Sequence, residues 1–300
     1  MTDPVATDPR LLRIATRSSA LAMWQAEHVA GLLRAAHEGI EVELVALSTE
    51  GDRRTDVPLS EIGGKGVFAK EVQAAVLDGR ADLAVHSAKD LPATTPPGLV
   101  IAAIPERGDA RDALVGRRLD ELHPGDTVAT GSARRRVQLA ELRPGLGFAE
   151  LRGNMATRLE KAEGFSAIVV AAAALQRLGL SGRITEVLDP EVFVPQVAQG
   201  ALAIECRTGD ERAMGRLSVL DHAPTRRVVE CERAFLVELG GDCSLPAGAH
   251  AVLLDDGGLR LRAVLSRDAG SPPERVELDG DGPDLGTRAA RELRARVGGP

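Results

Sequence analysis

The run TVATGSARRRVQLAEL, residues 127–142, decides the fold. Residues 127–130 read as a short strand, a Gly-Ser turn follows, and residues 133–142 take up a helical spacing of apolar positions. The unit recurs on both sides. Downstream come a strand at 148–151, a helix from Asn154, a strand at 167–170 and the Ala-rich helix 172–178. Upstream, a strand at 11–15 precedes a helix that Ser19 caps and that runs to about Ala36, then a strand at 41–47, a helix at 67–77 and a strand at 81–86 ending in a turn at 87–92. Two rounds of strand–helix alternation predict two α/β lobes with mostly parallel sheets, whose ligands bind where the strands' carboxyl ends meet helix N-termini. A strand at 201–205 returns the chain toward the first lobe. A long helix at 225–239, two hairpin-like strands at 249–254 and 259–266 and a helix within 285–297 predict a small α+β domain at the end.

The chain is acidic, with a formal net charge of −7, yet its arginines cluster at predicted turns and helix starts: Arg134, Arg135 and Arg136, then Arg152 and Arg158. Arg13 and Arg17 flank the first strand, and Lys65 and Lys89 sit in Gly-rich or turn segments. Singly, each is an ordinary solvated cation. As a set they predict a focused polyanion site, because a cation at a helix N-terminus opposes the helix dipole and calls for an anionic partner. The expected ligand carries several carboxylates or phosphates.

Composition excludes other classes. Three hundred residues suffice for two or three domains. The net negative charge argues against non-specific nucleic-acid or anionic-membrane binding, and Trp24, five Phe and no Tyr leave no stacking platform for single strands. Residues 1–10 lack the pattern of a signal peptide, and no stretch is long and apolar enough to span a bilayer. Cys206, Cys231 and Cys243 are odd in number and free of metal-ligand spacing, so a reducing cytosol and no metal are expected.

Three short segments offer chemistry. In Val85-His86-Ser87-Ala88-Lys89-Asp90 the His-Ser neighbours lack the separate elements and the G-x-S-x-G elbow of a hydrolase. Asp90 suits two readings, a solvated turn aspartate or a carboxylate placed among cations to stabilise a developing positive charge. Gly63-Gly64-Lys65-Gly66 departs from a Walker A loop at Leu59 and Gly66, and the long polar stretch 48–66 around it reads as a lid that delivers one ammonium. Cys243, in Gly240-Gly241-Asp242-Cys243-Ser244-Leu245-Pro246, is a thiol in a Gly-rich turn, suited to act as a nucleophile or to carry a covalent group. Cys206 and Cys231 fit better as small buried apolar groups.

Arg13-Ile14-Ala15-Thr16-Arg17, the runs 63–68 and 85–90, Leu151-Arg152-Gly153-Asn154 with Thr157-Arg158, Val197-Ala198-Gln199-Gly200 and the Cys243 turn together resemble the porphobilinogen deaminase family, in the family's order and over almost the whole chain. The resemblance implies two periplasmic-binding-protein-like α/β lobes around a cleft and a small C-terminal α+β domain. The expected bounds are 1–104 with 200–219 for the first lobe, 105–199 for the second and 220–300 for the cofactor-attachment domain. It implies a covalent dipyrromethane cofactor held by a thioether to Cys243, and Asp90 as the catalytic carboxylate. Arg13, Arg17, Ser19, Lys65, Lys89, Ser132, Arg134, Arg135, Arg152, Arg158 and Arg177 match positions that bind the acetate and propionate groups of cofactor and substrate. The implied reaction joins four porphobilinogen molecules, each losing ammonia, into a linear tetrapyrrole in a cytoplasmic monomer. Two departures stand out: Glu61 in place of Lys before the Gly-rich run, and Gly240 and Asp242 in place of Glu and Gly before the cysteine. An anion beside the thiol disfavours thiolate and predicts slower cofactor attachment. The rival readings are a two-lobed binding protein for an anion, against which stand the missing signal peptide and missing helix-turn-helix, and a nucleotide-dependent ligase, weakened by the broken Walker pattern.

Overall fold

The computed structural model describes residues 10–49, 66, 69–241 and 245–298. Lys65, Cys243 and nearly all of the expected lid lie outside the described residues. Strand β1 (Leu11–Arg17) leads through Ser19 into α1 (Ala20–Ala36), and β2 (Glu41–Leu47) lies parallel beside β1. Helix α2 (Lys70–Leu77), β3 (Leu83–Ser87), a 3₁₀ turn at Ala88–Asp90 and β4 (Leu99–Ala103) follow. The next strands and helices are β5 (Asp112–Gly116), β6 (Thr127–Ala129), α3 (Ala133–Leu142), β7 (Gly147–Ala149), α4 (Met155–Lys161), β8 (Ala167–Ala171), α5 (Ala172–Arg177) and β9 (Glu186–Val187). The chain ends with β10 (Leu202–Arg207), α6 (Glu211–Leu217), α7 (Ala223–Glu238), β11 (Ala247–Leu253), β12 (Leu259–Leu265), β13 (Glu274–Gly280) and α8 (Gly282–Arg296).

The two large sheets have one plan. Their strand orders are β2-β1-β3-β10-β4 and β7-β6-β8-β5-β9. In each, three strands run parallel, and a reversed strand separates them from a last, co-directional one: β10 is antiparallel to β3 and β4, and β5 to β8 and β9. The sheets are thus mostly parallel, as expected, with one reversed strand in each. The reason is connectivity. β4 leaves the first sheet at its carboxyl edge, residues 104–111 cross over, and β5 therefore enters the second sheet from that edge running backwards; β9, residues 188–201 and β10 make the return journey. Both crossings thus run along the edge where the co-directional strands end.

The crossings pack back to back. Gly108 N–H donates to the Gly200 carbonyl at 3.1 Å. Gly200 has φ +86°, and a Cβ there would lie 2.6 Å from the Gly108 carbonyl oxygen and 2.7 Å from that of Asp109, so both its backbone conformation and its surroundings require glycine. Ala198, two residues earlier, also has positive φ, at 58°.

The C-terminal layer is the three-stranded antiparallel sheet β11-β12-β13 covered by α7 and α8. Helix α7 buries Val228, Val229, Cys231, Phe235 and Leu236 on one stripe, and α8 buries Leu285, Ala289, Ala290 and Leu293. The helices touch at Gly286, where a Cβ would sit 2.0 Å from the Cys231 carbonyl oxygen. Their core is continuous with the crossings: Ile104, Val197, Ala198 and Ala201 pack into the same apolar cluster.

Glu232 is the polar centre of that junction. Fully buried on α7, it accepts from Arg107 Nη1 at 2.7 Å and Nη2 at 3.1 Å, from Ala198 N–H at 2.7 Å and from Ala251 N–H at 2.9 Å. One carboxylate therefore ties the first crossing, the second crossing and β11 together. Burial pushes the Glu232 carboxyl up, but the Arg107 guanidinium and the His250 imidazole beside it outweigh burial and bring it down to about 2, from an ordinary 4.5. A depressed carboxyl contributes stability that is present above its unfolded value and is lost as the pH falls through the folded one, so the window here is pH 4.5 down to 2. Glu232→Gln is expected to lose roughly 3–5 kcal/mol in urea unfolding at neutral pH, the cost of stranding a buried cation, and to show a shallower loss of stability across that acid window. Unfolding midpoints equal to those of the unmodified protein at both ends of the window would refute the role.

Candidate functional site

Of the predicted cations that are described, all but Arg13 gather at the edge where the sheets' co-directional strands end. Arg17 is the last residue of β1, Ser19 caps α1 and accepts from Ala22 N–H at 3.4 Å, and Lys89 and Asp90 form the 3₁₀ turn directly after β3. From the second lobe, Ser132 precedes α3, Arg134 and Arg135 lie in its first turn, and Arg152 follows β7. Asn154 caps α4 through Thr157 N–H at 3.0 Å and so sets the helix that carries Arg158. Arg177 ends α5.

Electrostatics show how closely these groups face one another. Burial lowers the Lys89 ammonium from 10.5 to about 8; Asp90 and Asp112 pull it up, while Arg135 and Arg134 push it down. Burial likewise lowers the Arg158 guanidinium to about 10, with Arg135, Arg152 and Arg17 adding to the depression and Asp90 opposing it. Asp90 therefore stands among Lys89 from its own lobe and Arg158 from the other. So crowded a set of partly buried like charges is held apart from water at a cost that a bound polyanion would offset.

Part of that anion is internal. Asp112, at the start of β5 and fully buried, accepts from Arg135 Nε at 3.0 Å and Nη2 at 2.6 Å and pairs with Arg134 Nη1 at 2.8 Å. Burial pushes the Asp112 carboxyl up, but Arg134 and then Arg135 outweigh it and hold the group well below the usual carboxylate range. Two cations in the first turn of α3 thus have a protein partner that the sequence did not announce. Arg134 also donates to the Val194 carbonyl at 2.7 Å and lies over the Phe193 ring at 5.8 Å, and Arg135 donates to the Val169 carbonyl at 2.9 Å. Arg136, third in the run, turns outward to Glu150 and the Thr130 carbonyl.

Not every donor is used. Nε and Nη2 of Arg134 and Nη1 of Arg152 are buried without a hydrogen-bond partner among the described residues. Such stranded guanidinium donors fit the carboxylates of an acidic ligand, and a dipyrromethane bearing acetate and propionate groups is of that kind.

Arg13 is not brought to this edge: its guanidinium and its backbone N–H both engage Asp82, ahead of β3 at the opposite end of the sheet, at 3.4 and 2.8 Å. The strand's length separates Arg13 from Arg17. Arg177 does reach the crossings, donating to the Gly200 carbonyl at 2.6 Å and lying over Trp24 at 5.7 Å, and burial lowers it to about 10. His86 and Ser87 do not form a dyad: His86 Nε2 faces buried Glu205 at 3.2 Å, whereas Ser87 Oγ accepts from Gln25 Nε2 at 2.8 Å. Cys206 and Cys231 are free, buried thiols, which burial pushes up to about 11 and about 12, so neither is a ready nucleophile near neutral pH.

Two family models match the chain. "Porphobilinogen deaminase, dipyromethane cofactor binding domain" matches residues 12–215, and "Porphobilinogen deaminase, C-terminal domain" matches residues 227–295. Among solved structures the chain is similar to a point mutant of full-length BenM, at 15% identity over 71% of this chain and 66% of that one, with a TM-score of 0.41. It is also similar to the periplasmic aliphatic sulphonate binding protein SsuA from Escherichia coli, at 16% identity over 78% and 71% of the two chains with a TM-score of 0.39. YhfZ from Shigella flexneri gives 14% identity over 77% and 97%, with a TM-score of 0.37. These structural likenesses are distant and do not bear on activity.

The site's electrostatics are directly measurable. In ligand-free protein carrying ¹³Cε-lysine, the Lys89 signal is expected to titrate near pH 8. A midpoint at the ordinary 10.5 would contradict the half-buried, cation-crowded setting.

Proposed function

The chain belongs to the porphobilinogen deaminase family, and on that premise we propose how its own residues carry out the hydroxymethylbilane synthase reaction. The reaction is a transfer. Each of four porphobilinogen molecules loses ammonia, and its methylene carbon bonds to the free α-carbon of the preceding pyrrole; water then releases the linear tetrapyrrole. The family's dipyrromethane cofactor, when bound, supplies the free pyrrole α-carbon on which the first unit is placed.

Asp90 is the catalytic residue of this reading. Loss of ammonia and each carbon–carbon bond leave positive charge on a pyrrole nitrogen, and one ionised carboxylate can accept from that N–H in every round. The gathering of Arg17 and Lys89 from one lobe and of Arg134, Arg135 and Arg158 from the other around the turn that carries Asp90 is the observation that carries the proposal. Lys89 lies directly beside Asp90 in the same 3₁₀ turn. Arg17, Ser19, Lys65, Ser132, Arg134, Arg135, Arg152, Arg158 and Arg177 hold carboxylates of cofactor and growing chain, with guanidinium forks matching carboxylate geometry. Arg13 is left out, because Asp82 engages it at the far end of the sheet. The stranded donors of Arg134 and Arg152 support places for the cofactor's side chains. Cys243 carries the cofactor through its sulfur, a reading supported by the burial of the other two thiols. Tethering keeps each intermediate at high effective concentration beside Asp90.

The domains of this reading are 1–104 with 200–219, 105–199 and 220–300, supported by the membership of the three sheets. We assign the working state as a cytoplasmic monomer that takes porphobilinogen and engages neither nucleic acid nor membrane. The net charge of −7 supports this, as does the finding that no described helix is long and apolar enough to cross a membrane.

Intact mass and turnover test the assignments together. Cys243→Ser is expected to lack the two-pyrrole adduct and to be inactive, whereas Cys206→Ser and Cys231→Ser keep it. Asp90→Asn is expected to fold and to lose on the order of 10²-fold or more in turnover. An adduct on Cys206 or Cys231, or near-normal turnover by verified Asp90→Asn, would overturn the respective role.

A further inference from the structure

We propose that Gln199 is a positioning residue, which fixes the Lys89 ammonium beside Asp90 and couples it, through Asp112, to the arginine pair of the opposite lobe. Gln199 lies on the second crossing and is fully buried. Its Oε1 accepts from Lys89 Nζ at 3.0 Å. Its Nε2 donates to Asp112 Oδ1 at 2.9 Å and to the Ala110 carbonyl at 2.9 Å. One amide therefore spans from the catalytic turn of the first lobe to the carboxylate that holds Arg134 and Arg135 in the second. The orientation is determined by its partners: an ammonium only donates and a carboxylate only accepts, so the amide oxygen must face Lys89 and the NH₂ must face Asp112.

The rest of the crossing grips the same turn. Gln196 Nε2 donates to the Lys89 carbonyl at 3.3 Å, and Ala88 N–H donates to the Ala201 carbonyl at 3.0 Å. Gln199's own backbone is held in turn, since its carbonyl accepts from Arg107 Nε at 2.8 Å while Arg107 is anchored by Glu232. The positive φ of Ala198 and Gly200 on either side gives this segment the bend that aims the amide inward. Any shift of one lobe relative to the other along the crossings must change the Lys89–Gln199–Asp112 chain, so the setting of the catalytic turn depends on the lobe arrangement.

The inference rests on the reading of Asp90 and Lys89 given above, and its test separates the two. The charged groups facing Lys89 are Asp90 on its own turn, Asp112 on β5, and Arg134 and Arg135 on α3. The amide oxygen stabilises the ammonium form. In cofactor-bearing enzyme containing ¹³Cε-lysine, whose only lysines are Lys65, Lys70, Lys89 and Lys161, Gln199→Leu is expected to lower the Lys89 midpoint, and the near-isosteric Gln199→Glu to raise it. Both variants are expected to lose roughly 10-fold or more in turnover, because the ammonium is misplaced in one and drawn to a new carboxylate in the other. The alkaline limb of the pH–rate profile should move in the same two opposite directions. Intact mass verifies that each preparation carries the cofactor. A purely structural glutamine would give variants with reduced activity but with the Lys89 midpoint and the alkaline limb unmoved, and that result would overturn the proposal even if Asp90→Asn were inactive. Should Gln199→Leu fail to fold, Gln199→Glu decides alone: an unchanged or lowered midpoint refutes the positioning role. Opposite shifts of the midpoint with full turnover in both variants would leave the amide's contact intact but refute its place in catalysis.

Discussion

The buried carboxylate of Asp112 is the constraint on which the site depends. Two guanidiniums in the first turn of a helix are unfavourable by the dipole and by mutual repulsion, and burying them adds desolvation. Asp112 sits at the start of a strand whose direction is reversed relative to its neighbours, and that reversal alone places its side chain at the edge where α3 begins. Its Oδ1 accepts from Arg135 and Gln199 and its Oδ2 lies against Arg134 Nη1, which fixes the arginines while Nε and Nη2 of Arg134 stay without a partner among the described residues. A pre-set, incompletely satisfied cation pair is what a carboxylate-bearing ligand needs in order to bind without reorganising the protein.

The reversed strands follow from how the chain travels. Because each lobe receives its antiparallel strand from the other, both crossings lie between the strands' carboxyl ends, where an α/β protein keeps its chemistry. The connections between the lobes and part of the site's wall are thus the same residues. Glu232 extends this arrangement to the third layer, since the carboxylate that anchors Arg107 also accepts from Ala198 on the second crossing and Ala251 on β11. The layer expected to bear the cofactor thiol is consequently tied to the segments that shape the catalytic turn.

Much of the fold was legible in the sequence. The 127–142 run and its repeats announced two α/β lobes, and the positions of Arg17, Lys89, Asp90 and Arg152 after strands, and of Arg158 in a helix that follows one, could be read from the same alternation. What the sequence concealed were elements as well as partners: β4, β5, β9, α6 and the third C-terminal strand β13 all went unread. Without β5 there was no reason to set Asp112 apart from the other acids around it. Gln199 stood inside a recognised motif, but a glutamine's role depends on what faces it, and Lys89 and Asp112 are distant in sequence. Arg13 shows the converse limit. A cation beside a strand was assigned to the wrong end because sequence proximity to Arg17 hides the length of an extended chain, about 3.3 Å for each residue.

If Asp112 organises the cation site, removing its charge must cost the protein its hold on acidic pyrrole ligands before it costs the fold. The most direct measurement is intact mass of Asp112→Asn, purified beside the unmodified chain and checked for native circular dichroism. The account predicts a folded protein recovered largely without the two-pyrrole adduct, and unable to build the ladder of extended intermediates when limiting porphobilinogen is added. Full adduct occupancy with a normal ladder would contradict it.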